Sequence, residues 1–187
     1  MIKVVISKGD DGLNIQTEAV QLRHFIASDL AVVYQIGCER EIAAQLNMPP
    51  FQSEHEAQSF LTMLQSDEHS WAIVTKKTDA VCGFIMLAPN LAQDNINIES
   101  YELSFAILPQ YRRQGLMTSA LTAVLAAYHD NLQVGKFMAA YFITNQKSAH
   151  CLQKVGFTTA YQTQLPDYLG GDLVQYYQYN LDEKGFR

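Results

Sequence analysis

The sequence predicts an α/β fold, a mixed sheet with helices on its faces. Three observations carry that expectation. Short runs of alternating or continuous apolar residues, bounded by turn formers, recur along the chain at strand length. Helical apolar spacing occupies four other stretches, two of them interleaved with strands after residue 98. The 187 residues hold no repeat, low-complexity tract or Pro/Gly/Ser linker, so residues 1–187 are expected to form one domain.

The elements follow in order. Lys8-Gly-Asp-Asp-Gly12 is a turn signal between two short strands. Residues 20–26 alternate as a strand, and Ser28-Asp29 stands as a cap ahead of a helix carrying Leu30, Val33, Tyr34 and Ile36. Pro49-Pro50 breaks the chain, and Ser53-Glu-His-Glu56 has the form of a capping box opening a helix through Phe60, Leu61 and Leu64. Residues 70–75 and 81–87 read as strands joined by a hairpin connection at 76–79. Residues 98–108 form a long strand ended by Pro109. A helix from about Gln114 to His129 then sets Leu116, Ala120, Ala123, Val124 and Ala127 on one face. A strand at 136–143 precedes a helix at 145–155 closed by Gly156. Alternating strands at 158–164 and 173–181, joined by a loop at 166–171, complete the order β-α-α-β-β-β-α-β-α-β-β.

Composition narrows the function. Hydrophobic residues make up 48% and charged residues 17%, which excludes a disordered chain or a long coiled coil. The net charge of −6 and pI near 5.3 disfavour general nucleic-acid or anionic-membrane binding and favour a cationic partner such as an amine. No apolar run is long enough for a transmembrane helix, and the first residues lack a signal peptide's apolar region. Three cysteines without paired spacing point to a reducing compartment. The expectation is a soluble cytoplasmic protein, monomer or homodimer. His24, His55, His69, His129 and His150 are scattered without metal-ligand spacing, so no metal is expected. Cys151 beside His150 cannot pair with it on a helix, where neighbours diverge by about 100°.

The segment richest in chemistry is Leu108-Pro-Gln-Tyr-Arg-Arg-Gln-Gly-Leu-Met-Thr-Ser-Ala120. A strand stops, a basic loop follows, and one glycine sits where a helix begins. Unpaired N–H groups at a helix N-terminus, backed by the helix dipole, form an anion site. Gly115, without a Cβ, lets backbone approach the anion, and Arg112 and Arg113 add positive charge. A strand-to-helix turn with solvated arginines would have the same appearance. The second segment is Asn145-Gln-Lys-Ser-Ala-His-Cys-Leu-Gln-Lys-Val-Gly-Phe157.

Together the two segments resemble the GNAT acetyltransferase superfamily. Its acetyl-CoA loop, Q/R-x-x-G-x-G/A, is met at Arg112 and Gly115, with Met117 where Gly or Ala is usual. Its N-x-x-S/A motif with a later G-F is met at Asn145, Ser148, Gly156 and Phe157. Gly115-Leu-Met, Ala120-Leu121, Glu102-Leu-Ser-Phe105, Leu22-Arg23, Ser28-Asp29 and Trp71-Ala-Ile73 extend the likeness toward the Rim-type ribosomal-protein N-terminal acetyltransferases, over about residues 20–181. The resemblance implies a GNAT fold, a central mixed, mostly antiparallel twisted sheet of about six to seven strands flanked by about four helices. It also implies acetyl-CoA as co-substrate, without a metal. The coenzyme's pyrophosphate would rest on the amides of Arg113, Gln114, Gly115, Leu116, Met117 and Thr118, with Arg112 beside them. Its pantetheine arm would pair with the backbone of Phe105, Ala106 and Ile107, and Asn145 and Ser148 would fix that arm and the acetyl group.

Two positions depart from the family pattern. Ala140 stands where many N-terminal acetyltransferases carry a Glu, and Leu152 where many members carry a Tyr that protonates the thiolate. Glu102, acting through water, is the remaining base candidate, although a surface carboxylate on a strand edge would read the same way. Ser148, Tyr141 or solvent are the acid candidates. The expected activity is acetyl transfer to a primary amine by direct attack on the thioester, with a protein N-terminus as the first acceptor. A polyamine, aminoglycoside or amino-acid-like amine is the alternative. A non-catalytic acyl-CoA-binding module is the third reading. Leu173-Val-Gln175, where Rim-type members often carry Trp-Arg-Asp, weakens the peptide assignment alone.

Overall fold

A computed structural model describes residues 2–9, 12–92 and 97–180. They form nine strands and five α-helices, with the mostly antiparallel sheet expected of the fold class. Two strands beyond the seven in the core pattern come from the N-terminus, β1 (Val5–Gly9) and β2 (Gly12–Gln16), paired antiparallel. The turn residues Asp10 and Asp11, like Leu181 at the expected end of the last strand, lie outside the described residues.

Contacts group the chain into two compact units. The first comprises Ile2–Met86 and Phe105–Val124. It contains β1, β2, β3 (Val20–Arg23), β4 (Ser70–Thr75) and the start of β5 (Ala80–Leu91), neighbours in that order and antiparallel. The hairpin between β4 and β5 turns at Asp79, whose φ of 55° places it in the left-handed region that Asp tolerates. The end of β6 (Ile98–Ile107) lies against β5, with Leu108 donating its N–H to the Cys82 carbonyl at 2.9 Å. A Cβ on Gly83 would come within 2.2 Å of the Ala106 carbonyl oxygen, so only glycine fits this approach.

Helices α1 (Leu30–Cys38), α2 (Arg40–Gln45) and α3 (Glu54–Ser66) bury Val33, Ile36, Ile42, Ala57, Leu61 and Leu64 in one cluster with Ala72, Phe84, Ala106 and Leu108. The sequence pattern implies one helix after Asp29. The structure has two, because Glu39 is extended and Phe51 packs over Gly37, where any Cβ would meet its ring at 2.0 Å. Asp29 does not cap α1 with its side chain. Its carboxylate takes a bidentate pair from Arg23 (2.7 and 2.9 Å) and the Ile26 N–H (2.9 Å), satisfying a nearly buried charge. At α3 the Ser53 hydroxyl accepts the Glu56 N–H, and the Glu56 carboxylate reaches back to the Gln52 N–H.

The second unit comprises Leu87–Ser104 and the chain from Leu125 onward. Here the strand order runs β5, β6, β7 (Lys136–Phe142), β9 (Leu173–Asn180), β8 (Thr158–Gln164). β6 and β7 are parallel, while β7–β9 and β9–β8 are antiparallel. One face is apolar and buried: Tyr101 and Phe137 each pack edge-on against Tyr128 of α4 (Leu116–Leu132), and Leu103 and Ala139 share their side. Helix α5 (Gln146–Val155) ends at Gly156, whose φ of 115° is the left-handed closure its sequence position predicts. α4 is buried on more than the single face expected, since Met117, Leu121, Leu125, Ala126 and Tyr128 are buried along with Ala120 and Val124.

Candidate active site

In the first unit the site begins where β6 ends. Burial along β6 alternates through Tyr101 and Leu103, then slips by one residue, so that Ala106 and Leu108 are buried while Phe105 and Ile107 stand half exposed. Simple alternation predicts the reverse, with Leu103, Phe105 and Ile107 enclosed together. The slip corrects it, and Ala106 joins the cluster under α1–α3. The β6–β7 ladder pairs only Tyr101 with Phe137, Glu102 with Met138 and Leu103 with Ala139, so the main chain of Phe105, Ala106 and Ile107 has no partner on β7.

The loop that follows is shaped by two left-handed residues, Arg113 (φ 63°) and Gly115 (φ 76°). Turns of this kind curl successive N–H groups into an anion-binding concavity. Among the described residues, Arg113, Gln114, Gly115, Leu116 and Met117 donate no main-chain hydrogen bond, and they stand at the N-terminus of a 17-residue helix. A Cβ on Gly115 would meet nothing within 4 Å. The space beside these amides is therefore not filled by protein, which fits an anionic group lying against the backbone. The Leu116 and Met117 side chains are buried, 6% and 7% exposed. Met117 therefore leaves its amide as open as Gly or Ala would. The Arg112 guanidinium is engaged elsewhere, pairing with Glu41 of α2 at 2.6 Å and donating from Nε to the Ile107 carbonyl at 3.3 Å. Arg113 is exposed beside the loop.

The second unit holds the side chains with acid–base chemistry. Glu102 is half-buried, and burial lifts its carboxyl above the ordinary carboxylate range. It lies on the side of the sheet opposite Tyr101 and Leu103, together with Met138, Ala140 and Tyr176 by strand alternation and register. Asn145 caps α5. Its carbonyl oxygen accepts the Ser148 N–H at 3.2 Å, and its amide donates to the Ser148 hydroxyl oxygen at 2.9 Å. The Ser148 O–H is therefore left free to donate outward. Tyr141 is a poorer proton source, pushed up to about 12 by burial and by the hydrogen bond it gives Tyr177. Tyr177 also accepts from the Gln153 amide at 2.6 Å. Leu152 is fully enclosed in the core, so its position serves packing. Cys151 is partly buried, and no group of three His, Cys, Asp or Glu among the described residues is placed to hold a metal.

The expected residues thus fall into two sets. The first unit gathers Phe105–Ile107 and Arg112–Thr118, and the second gathers Glu102, Asn145 and Ser148. Sequence reasoning missed Glu41 as the partner of Arg112, and it missed the pairing of Tyr161 with Tyr176. Both depend on contacts distant in sequence and leave no local signal.

Residues 19–158 match the acetyltransferase (GNAT) domain family. No curated protein matches the sequence. Among solved structures, a GNAT-family acetyltransferase from Bacillus anthracis superposes with a TM-score of 0.81 at 16% identity, covering 90% of this chain and 99% of that one. Spermidine N-acetyltransferase from Vibrio cholerae, in complex with CoA and spermine, gives 0.72 at 17% identity over 87% of this chain and 96% of that one. Ribosomal-protein-S5-alanine acetyltransferase from Vibrio fischeri gives 0.71 at 18%, over 91% and 97%. At these identities the likeness is one of fold.

Proposed function

The chain belongs to the acetyltransferase (GNAT) family, and on that premise we propose that it is an N-acetyltransferase moving the acetyl group of acetyl-CoA onto a primary amine by direct attack on the thioester. The observation that carries the reading is the run of open amides at the start of α4, preceded by a strand that bears a half-buried carboxylate. The amides of Arg113 through Thr118 take the pyrophosphate, and the backbone of Phe105, Ala106 and Ile107, which has no partner on β7, takes the pantetheine arm. Arg112 acts by holding the loop to α2 and to β6, not by reaching the phosphate.

An ammonium cannot attack, so its proton must leave first. Glu102, made more basic by burial, accepts that proton through a water. A β6 backbone N–H donates to the thioester oxygen as negative charge grows there. Carbon–nitrogen bond formation leaves a second proton to be shed by the nitrogen. As the CoA thiolate departs, the Ser148 O–H, oriented by the amide of Asn145, passes a proton to it and takes up that second amine proton in return. The products are the acetylated amine and CoA.

A protein N-terminus remains the first acceptor class, on the likeness of Glu102-Leu-Ser-Phe105 and the loop to the Rim-type group. The related fold acting on spermidine supports the second class, a small polycationic amine, as does the net charge of −6. Thiol release from acetyl-CoA, measured over a panel of N-terminal peptides and polyamines, decides between them. A chain that binds acetyl-CoA but releases no thiol with any amine would overturn the catalytic reading.

A further inference from the structure

On the Glu102 side of the second unit, Tyr161 of β8 and Tyr176 of β9 stack at 4.7 Å between centroids, with ring planes 13° apart. A bulge makes this pair. β8 follows β9 in register through Thr159 and Tyr177, then Ala160 is passed over and Tyr161 stands opposite Tyr176. Without this register shift Ala160 would stand opposite Tyr176 and Tyr161 opposite Gln175, facing the other side of the sheet. Gln175 holds the arrangement by donating to the carbonyls of Tyr161 (2.7 Å) and Tyr176 (2.9 Å).

Tyr176 is paired in turn with Ala140 of β7, whose small side chain leaves room beside the ring. Burial, then the Glu102 carboxylate, then Tyr161 raise the Tyr176 phenol, so the ring and the carboxylate lie within electrostatic reach. Tyr161 remains 52% exposed, so the stacked pair is open to a ligand from solvent. Stacked phenol faces are electron-rich and attract organic cations, and a carboxylate nearby has the same preference.

We propose that Tyr161 and Tyr176 form an aromatic shelf that receives an organic cation carried by the acceptor while its amine is presented to Glu102. The inference rests on the amine-acetyltransferase reading and deepens it: the acceptor is dicationic before it reacts, with one charge lost to Glu102 and one retained on the shelf. Ala140 belongs to this design, since a carboxylate or larger side chain there would stand between ring and base.

Two probes of equal shape test it, an ethylamine tipped with a trimethylammonium group and its neutral tert-butyl isostere. Tyr161→Leu should lower kcat/KM for the cationic probe about three- to ten-fold, with the neutral probe and the KM for acetyl-CoA unchanged. Tyr161→Phe should keep the wild-type values. Equal losses on both probes, or none on either, would overturn the shelf. Tetramethylammonium binding to the free protein, followed by tyrosine resonances, reads the shelf without turnover. Shifts at Tyr161 and Tyr176 in the wild type, with the Tyr176 shift weakened in Tyr161→Leu, support it even if the wild type acetylates neither probe, and absence of binding refutes it. Failure to acetylate any amine would count against the catalytic reading alone.

Discussion

At the start of α4, recognition rests on main chain: five consecutive amides lie open, Gly115 has no side chain, and the Leu116 and Met117 side chains are turned into the core. On the β6–β7–β9–β8 face it rests on side chains: the Glu102 carboxyl, the small Ala140 and the stacked rings of Tyr161 and Tyr176. A backbone site tolerates substitution at most positions, provided the turn is kept. A side-chain site changes its chemistry with every substitution. In the proposed reaction the shared coenzyme meets the first kind of surface, and the acceptor, which distinguishes one enzyme of the family from another, meets the second.

The sharpest way to break this contrast is Glu102→Gln, which keeps shape and removes basicity. kcat/KM should fall about 10²-fold with acetyl-CoA affinity unchanged, and the acidic limb of the pH–rate profile should flatten. Stability should move the other way. Because burial raises the folded-state pKa of Glu102, the folded protein holds this proton more tightly than the unfolded chain. Stability from this group therefore falls as pH rises from the ordinary carboxylate range through the raised value. The Tm of Glu102→Gln should match or exceed wild type at pH 7, and the difference should vanish near pH 4. A mutant that is less stable and fully active would assign Glu102 a structural role.

Gly115→Val addresses the backbone region. In the free protein its φ of 76° makes any side chain strained, at a cost of about 1–2 kcal/mol, although no protein atom lies in the way. Acetyl-CoA affinity should fall by about 1–3 kcal/mol beyond that, the scale of displaced hydrogen bonds. Calorimetric titration of a folded mutant that binds as wild type does would show that the coenzyme lies elsewhere.

Asn145→Asp is smaller and more diagnostic. The carboxylate still caps α5 and suits its N-terminus, so Tm should hold or rise. The Ser148 hydroxyl, however, would now donate to Asp instead of accepting from Asn, and its proton would be withdrawn from the leaving thiolate. Turnover should fall about tenfold, on the low side of general acid contributions. Smallest of all is Arg112→Ala. Its pair with the exposed Glu41 is worth less than about 1 kcal/mol, so acetyl-CoA affinity should drop only a few-fold, and Glu41→Gln should reproduce the loss. A large effect of Arg112→Ala with none from Glu41→Gln would mean that the guanidinium meets the phosphate after all.

The same contrast governs what could be read from sequence. α5 is legible because Asn145 and Gly156 mark both ends locally, α3 because Ser53 and Glu56 do, and the β4–β5 hairpin because Asp79 supplies its turn. The coenzyme loop is legible because backbone sites leave a local trace, a glycine at a helix start. The break between α1 and α2 is not, since it depends on Phe51 seating over Gly37 from across a loop. The phase slip in β6 after Leu103 is equally silent, because it alters which side of a strand is covered without altering its residues. Tyr161 and Tyr176 read as ordinary strand aromatics, and only the non-sequential order β7–β9–β8 with the bulge at Ala160 brings them together.

That bulge also bears on how copies of the protein behave in concentrated solution. β8 carries no charged residue and no proline, and among the described residues it pairs only with β9, so its far side offers main-chain groups to a passing strand. Irregularity is one of the few defences such an edge has against templating another chain. Deleting Ala160 would straighten the edge while leaving Tyr161 opposite Tyr176, so the stacked rings would survive and the irregularity would not. The extra residue thus helps keep the molecule from polymerising.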